Sequence, residues 1–159
     1  MPFLYTAIHI KAEPAKVWSV LTDFPRYAEW NPLLRSVQGK FQPGAQIRVL
    51  IKLPWLPHFS IPAVIQRVEP GMNFDWTGDV LSSSIFRGLH SFTVMSDGNG
   101  DTQFEQAEGY SGLLSRVAFL LIPILKFGFE QMNRSLKRFV EQQAPLHQPE
   151  NSTEKTNNT

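Results

Sequence analysis

At 159 residues, 42% of them hydrophobic and 18% charged, the chain has the length and apolar content of one domain, burying roughly two-thirds of its unfolded surface. Its 15 basic and 14 acidic residues leave a formal net charge of +1, no broad electrostatic footprint for nucleic acid or an anionic membrane. Cysteine is absent, which removes disulfides, thiolate nucleophiles and cysteine metal sites and suits the chain to a reducing cytoplasm.

Met1 to Ile10 has no basic leader and meets Lys11 and Glu13 too soon for a signal peptide. The longest apolar run, Val117 to Leu125, is shorter than the about 20 residues a bilayer span needs. A cytoplasmic protein without a transmembrane segment is expected.

Phe3 to Ile10 is β-branched and aromatic, and its even positions Leu4, Thr6, Ile8 and Ile10 share one face, which predicts a first strand. Pro14 suits the first turn of a helix through Val17, Trp18, Val20 and Leu21. Asp23 is positioned to cap a second short helix from about Phe24-Pro25, which ends by Trp30-Asn31-Pro32 because the residue before proline disfavours helix. Six β-like stretches follow, at about Leu33–Gly39, Gln46–Leu53, Phe59–Glu69, Asn73–Thr77, Ile85–Ser96 and Thr102–Tyr110. Turns at Pro43-Gly44, Pro54 to Pro57, Pro70-Gly71 and Asp97 to Gly100 separate several of them, a meander and not alternating βαβ units.

From Leu113 the period changes: Ala118, Leu121, Leu125, Phe129, Met132, Leu136 and Val140 recur at helical steps and predict one long terminal helix. Pro123 either kinks this helix or marks its start. Residues 144–159 are polar with almost no large apolar side chain and are expected to form a disordered tail after a domain at 1–143. Asn151-Ser-Thr153 matches a glycosylation sequon, but such tripeptides are common by chance.

The residues Ala12-Glu-Pro14 before Val17-Trp18, Asp23-Phe-Pro25 with Tyr27, Trp30-Asn-Pro32, and Val68-Glu-Pro-Gly71 before Phe74 and Trp76 form a recognisable series. His90-Ser-Phe92, Gly100 with Thr102, Glu108 with Ser111-Gly-Leu113, and Phe129 to Asn133 continue it. In this order, over about residues 3 to 142, the chain resembles the START-like or SRPBCC superfamily, especially its polyketide cyclase/dehydrase-like bacterial members. The resemblance implies an α+β helix-grip fold: a curved seven-stranded antiparallel sheet wrapped around a long C-terminal helix, with two short helices between strands 1 and 2. Such relatives include lipid and steroid carriers, hormone receptors and aromatase/cyclases, so the likeness speaks to fold more than to function.

The last hairpin can be read from its turn alone. With Asp97 to Gly100 at the bend, Phe92 faces Gln106, Val94 faces Phe104 and His90 faces Glu108, the last pair on the apolar face. A buried carboxylate needs a hydrogen bond, so this pair is a satisfied cross-strand contact, a ligand contact or an acid/base couple. Trp30, Phe74, Trp76, Phe92, Phe104 and Tyr110 from the sheet side, with Phe129, Met132 and Leu136 from the helix, are the candidate ligand-contacting wall; the same residues suit plain core. Trp55, Leu56 and Phe59 in a proline-bounded loop, with Phe119 to Ile122, are candidates for an exposed patch that touches a membrane surface or a protein.

Other signals are bland. Ser82-Ser83-Ser84 lacks a nucleophile-elbow context, and His9, His58, His90 and His147 lack metal-ligand spacing, so no metal or cofactor is expected. Arg134, Lys137 and Arg138 form a solvated helix face, and no nucleic-acid partner is expected. The leading expectation is non-enzymatic binding or transport of an apolar small molecule such as a lipid, sterol, quinone or polyketide. The alternatives are a cyclase or dehydratase using His90 or Glu108 on a hydrophobic carbonyl substrate, and an interaction module acting through the Trp55 loop.

Overall fold

The computed structural model describes residues 2–80, 82 and 84–143, without the side chains of residues 117 and 118. Strand β1 (Phe3–Ile10) leads into α1 (Pro14–Thr22), a 3₁₀ turn (Phe24–Arg26) and the one-turn α2 (Tyr27–Trp30). Strands β2 (Leu34–Gln38), β3 (Gln46–Ile51), β4 (Phe59–Glu69), β5 (Asn73–Val80), β6 (Phe86–Ser96) and β7 (Thr102–Ser111) then lead to α3 (Ser115–Gln143). The sheet order is β1-β7-β6-β5-β4-β3-β2, all antiparallel, with β1 returning to pair with β7. The sheet curls into a half-barrel around α3, the helix-grip architecture read from the sequence. The polar tail at 144–159, its sequon and His147 lie outside the described residues.

Alternation in β1 buries Leu4, Thr6 and Ile10 and leaves Phe3, Tyr5 and Ala7 outside, as a strand with one solvated face requires. In α1, Pro14 occupies the first turn, and Val17, Val20 and Leu21 form the buried stripe. Asp23 does not cap the next element with its side chain. Its backbone carbonyl accepts from the Arg26 N–H at 3.0 Å instead, which gives the tighter 3₁₀ turn. Fully buried Tyr27 donates its hydroxyl to the Leu21 carbonyl at 2.6 Å and locks α2 to the end of α1. Tyr27→Phe leaves that carbonyl unpaired and is expected to cost about 1–2 kcal/mol, read as a lower urea midpoint at unchanged slope.

The Trp30-Asn-Pro motif has a structural role. Buried Asn31 accepts from the backbone N–H groups of Leu33 and Leu34 at 3.0 and 2.8 Å, clipping the turn that starts β2. Register shifts in β2 between Leu34 and Ser36 and in β4 between Ile65 and Arg67 bend those strands, consistent with the curl of the sheet.

Helix α3 starts at Ser115, so Pro123 lies inside it and is not its start. There the proline has no N–H to offer the carbonyl of residue 119. Beyond Pro123 the helix buries Phe129, Met132, Asn133, Leu136 and Val140 at three- and four-residue steps. Gly128 permits this close seat: a Cβ there would come within 2.9 Å of Leu33 Cδ1. The two halves of α3 therefore differ: the second half plugs the sheet, and the first half overhangs it with Phe119 and Leu120 exposed.

Candidate functional site

The inward face of the sheet changes character along β5 and β6. At one end, Phe74 stacks on Phe92 with centroids 4.6 Å apart, Trp18, Phe24 and Phe41 pack edge-on around Phe74, and Trp76 lies tilted beside it. Two residues beyond Trp76 and His90, Gly78 and Gly88 face each other across the strand pair. The floor is bare there, and a cavity of about 300 Å³ opens beneath the first half of α3. Val49, Ile51, Leu53, Phe59 and Ile61 wall it on one side, Val80, Ile85 and Phe86 on another, and Leu121, Leu125 and Phe129 roof it from the helix.

Gly88 is small for a second reason: a Cβ there would lie 2.7 Å from Glu108 Oε1, so the missing side chain leaves room for the carboxyl group. Glu108 accepts the Tyr110 hydroxyl at 2.7 Å, and both side chains line the cavity. Burial pushes the Glu108 carboxyl up to about 7, against the opposing pull of the Tyr110 hydrogen bond. Burial, with the Glu108 carboxyl beside it, also holds the Tyr110 hydroxyl far above its ordinary value.

His90 lies opposite Glu108 in the register read from the turn, yet the two take different partners. Nε2 of His90 is 3.0 Å from Gln106 Oε1, Gln106 Nε2 donates to Asn133 Oδ1 at 2.5 Å, and Asn133 Nδ2 donates to Thr6 Oγ1 at 3.1 Å. All four are buried, and the chain of bonds ties β6, β7, β1 and α3 together. With the amides so oriented, the His90 Nε2–H donates and Nδ1 keeps its lone pair. The imidazole is sandwiched between Phe92 at 4.1 Å and Phe129 at 4.6 Å, and burial pulls it down to about 3, so it is neutral across the physiological range.

Of the candidate wall residues, Trp76, His90, Glu108, Tyr110 and Phe129 line the cavity. Trp30, Phe74, Phe92, Phe104, Met132 and Leu136 do not; they are packed into the core on the far side of the His90 stack, where α1, α2 and the second half of α3 fill the half-barrel. Gly78 and Gly88 were not singled out in the sequence. The signal available for them is a glycine inside a strand, which marks close approach of another group.

Glu108 has a separable pH signature. Its carboxyl is raised in the folded state, so its favourable share of stability is complete below the ordinary glutamate value near 4.5 and is lost as pH rises through about 7. The Glu108→Gln variant is therefore expected to gain on wild type between pH 4.5 and about 7 and then hold its lead. Urea midpoints of both proteins at pH 4.5 and 8.5 check this; a constant difference contradicts it.

Outside the cavity, His9, Asp97 and Asp101 bring ligand-type atoms within 4.8 Å of one another where β1 meets the β6–β7 turn. Nε2 of His9 is 3.2 Å from Asp97 Oδ2 and 3.3 Å from Asp101 Oδ2, a surface cluster that sequence spacing does not show because His9 is far in the chain from the two aspartates. Among the described residues, no helix is long and apolar enough to cross a membrane.

A half-barrel closed by a long helix over an apolar cavity defines a helix-grip domain. The chain belongs to the family described as polyketide cyclase / dehydrase and lipid transport, whose model matches residues 1–141. A search of curated proteins finds none that matches. Solved structures with the same fold include the Zhui aromatase/cyclase from Streptomyces sp. R1128, with a TM-score of 0.75 and 10% identity over 91% of this chain and 96% of that one. A START superfamily protein from Mycobacterium smegmatis gives 0.73 and 13% over 89% and 99%. A norcoclaurine synthase from Thalictrum gives 0.68 and 10% over 89% and 94%.

Proposed function

We propose that the protein binds one apolar small molecule in this cavity and carries it without chemical change. The observation that supports this reading most strongly is the wall itself: about 300 Å³ bounded by aliphatic and aromatic side chains, with His90, Glu108 and Tyr110 as polar members and, among the described residues, no Lys or Arg. Burial of apolar ligand surface at about 25 cal/mol per Å² supplies affinity, and the Glu108–Tyr110 pair orients one polar end. A carboxylate or phosphate ligand would enter without a cation to meet it, which is costly, so a neutral lipid, sterol, quinone or polyketide-like molecule fits better. A cysteine-free carrier of this kind suits the cytoplasm.

Titration with 1-aminoanthracene, a neutral fluorescent aromatic, tests the reading. Saturation at one probe per chain, reversed by an apolar competitor, is the expected result. Unsaturable or absent binding would sink it.

A second reading rests on Glu108. A carboxyl raised to about 7 can donate a proton to a carbonyl oxygen or withdraw one from carbon near neutral pH, as a cyclase or dehydratase requires. Neutral His90, held by Gln106, would then serve as a hydrogen-bonding partner and not as a proton donor. Once a substrate is in hand, Glu108→Gln is expected to lower turnover at least a hundredfold under this reading, whereas under the first it should weaken binding only modestly, because apolar burial supplies most of the affinity and Gln keeps an acceptor for the Tyr110 hydroxyl.

A further inference from the structure

We infer that the rim of the cavity is a docking surface for a lipid bilayer that carries anionic headgroups. Three segments, residues 51–61, 80–88 and 111–128, each contribute side chains to the cavity wall and so surround its mouth. Their outer faces are apolar to a degree unusual for a folded surface: Trp55 is 89% exposed, Phe119 69% and Leu120 73%, with Leu56, Phe59 and Leu114 also exposed. Trp55 is held in the left-handed region at φ 62°, a conformation L-residues other than Asn and Asp rarely adopt, and it presents its indole to solvent.

The three rim segments themselves carry charge of one sign. The three segments contain Lys52, Arg87, Arg116 and Lys126 and no Asp or Glu, although the chain as a whole is nearly balanced. Arg87 is paired with Asp79. Lys52, Arg116 and Lys126 are exposed and take part in no ion pair among the described residues. Lys52 and Pro54 share a groove with Phe127 of α3, which joins the loop side of the rim to the helix side.

Large aromatic and leucine side chains fringed by unpaired lysine and arginine are the composition of an element that lies in a membrane interface. A protein interface core is depleted of lysine, which argues against a protein as the occupant. The location fits as well: an apolar molecule that passes from the acyl layer through this rim reaches the cavity without crossing water. The near-neutral net charge conceals this because the acidic residues fall outside these three segments of the sequence.

The test uses the full chain and vesicles of phosphatidylcholine with and without phosphatidylglycerol, read by co-sedimentation and by tryptophan emission. Wild type is expected to favour the anionic vesicles at least tenfold at low salt, with a blue shift in emission. Trp55→Ser alone should remove most of the shift, and Trp55→Ser with Phe119→Ser should lower partitioning at least tenfold. Replacing Lys52, Arg116 and Lys126 with Gln should abolish the anionic preference and its salt dependence. All these positions are exposed, so unfolding midpoints are expected to stay at the wild-type value. Absence of association with either vesicle, or association indifferent to Trp55→Ser and Phe119→Ser, overturns the proposal; the apolar rim would then be left to a protein partner. Aminoanthracene binding in solution is independent of either outcome, so this surface and the cavity stand or fall separately.

Discussion

Replacing Gly78 with leucine is expected to weaken apolar ligand binding by about tenfold to a hundredfold while leaving the fold as stable as wild type or more so. The cavity exists because Gly78 and Gly88 pair across β5 and β6 and leave the floor without side chains. A leucine at 78 projects into that space. Its Cβ comes close to Ile61 Cδ1, at 2.8 Å, the free end of a flexible side chain, with Pro62 O and Ala63 Cβ at ordinary contact distances of 3.8 and 3.9 Å. A glycine inside a strand also costs about 0.5–1 kcal/mol relative to alanine, so the substitution removes a penalty as it fills a void. Loss of ligand and retention of stability together separate a binding cavity from a packing defect. Aminoanthracene titration and urea unfolding of the two proteins measure both. Unchanged affinity would move the site away from β5 and β6, and a loss of several kcal/mol would mean the floor is already filled.

Acid is expected to destabilise the protein through His90, a loss that the raised Glu108 carboxyl offsets between about pH 7 and 4.5 and that stands alone below it. The imidazole titrates near 6.5 in the unfolded chain and at about 3 in the folded one, so across that window the unfolded state binds a proton that the native state refuses. Stability associated with this group is intact above pH 6.5 and is lost as pH falls toward 3, a loss on the order of a few kcal/mol. His90→Phe keeps a ring between Phe92 and Phe129 but leaves Gln106 Oε1 unpaired, which is expected to cost about 1–3 kcal/mol at neutral pH. Its value lies in the slope: with the opposing Glu108 contribution common to both proteins, the variant should gain on wild type steadily as pH falls from 6.5 to 4. Equal slopes would place the acid sensitivity elsewhere. The mechanistic consequence is that His90 is a poor proton donor at neutral pH, whereas Glu108 on the neighbouring strand is poised to titrate there.

Period and punctuation made most of the architecture legible. The β6–β7 register followed from the position of one glycine-rich turn, because antiparallel pairing fixes every partner once the bend is known. The terminal helix followed from three- and four-residue spacing from Ala118 to Val140. Elements at the cavity end were harder. Strand β5 was expected to stop at Thr77, yet it continues to Val80, and Gly78, the residue that makes the floor bare, lies in the missed portion. Glycine lowers strand propensity locally, and cross-strand pairing with Gly88 overrides it.

The site was legible only in part, for a related reason. Strand alternation tells which side chains point inward but not how far along the strand the core ends and the void begins. Phe74 and Trp76 are adjacent on one face of β5, and only Trp76 borders the cavity, because α1 and the Phe24 and Phe41 rings pack against Phe74. Opposition of His90 and Glu108 was readable, but their partners were not. Gln106 and Asn133, from β7 and α3, claim His90, while Tyr110 claims Glu108. These choices depend on side-chain direction at the helix–sheet contact, which no short-range pattern records.

Native mass spectrometry of the purified full-length chain, with organic extraction of whatever accompanies it, tests the central claim most directly. The account predicts a single neutral, apolar molecule bound at one per chain, or taken up at that ratio when apolar candidates are supplied, and lost in Gly78→Leu. A protein that arrives empty and takes up no apolar molecule at defined stoichiometry would contradict it.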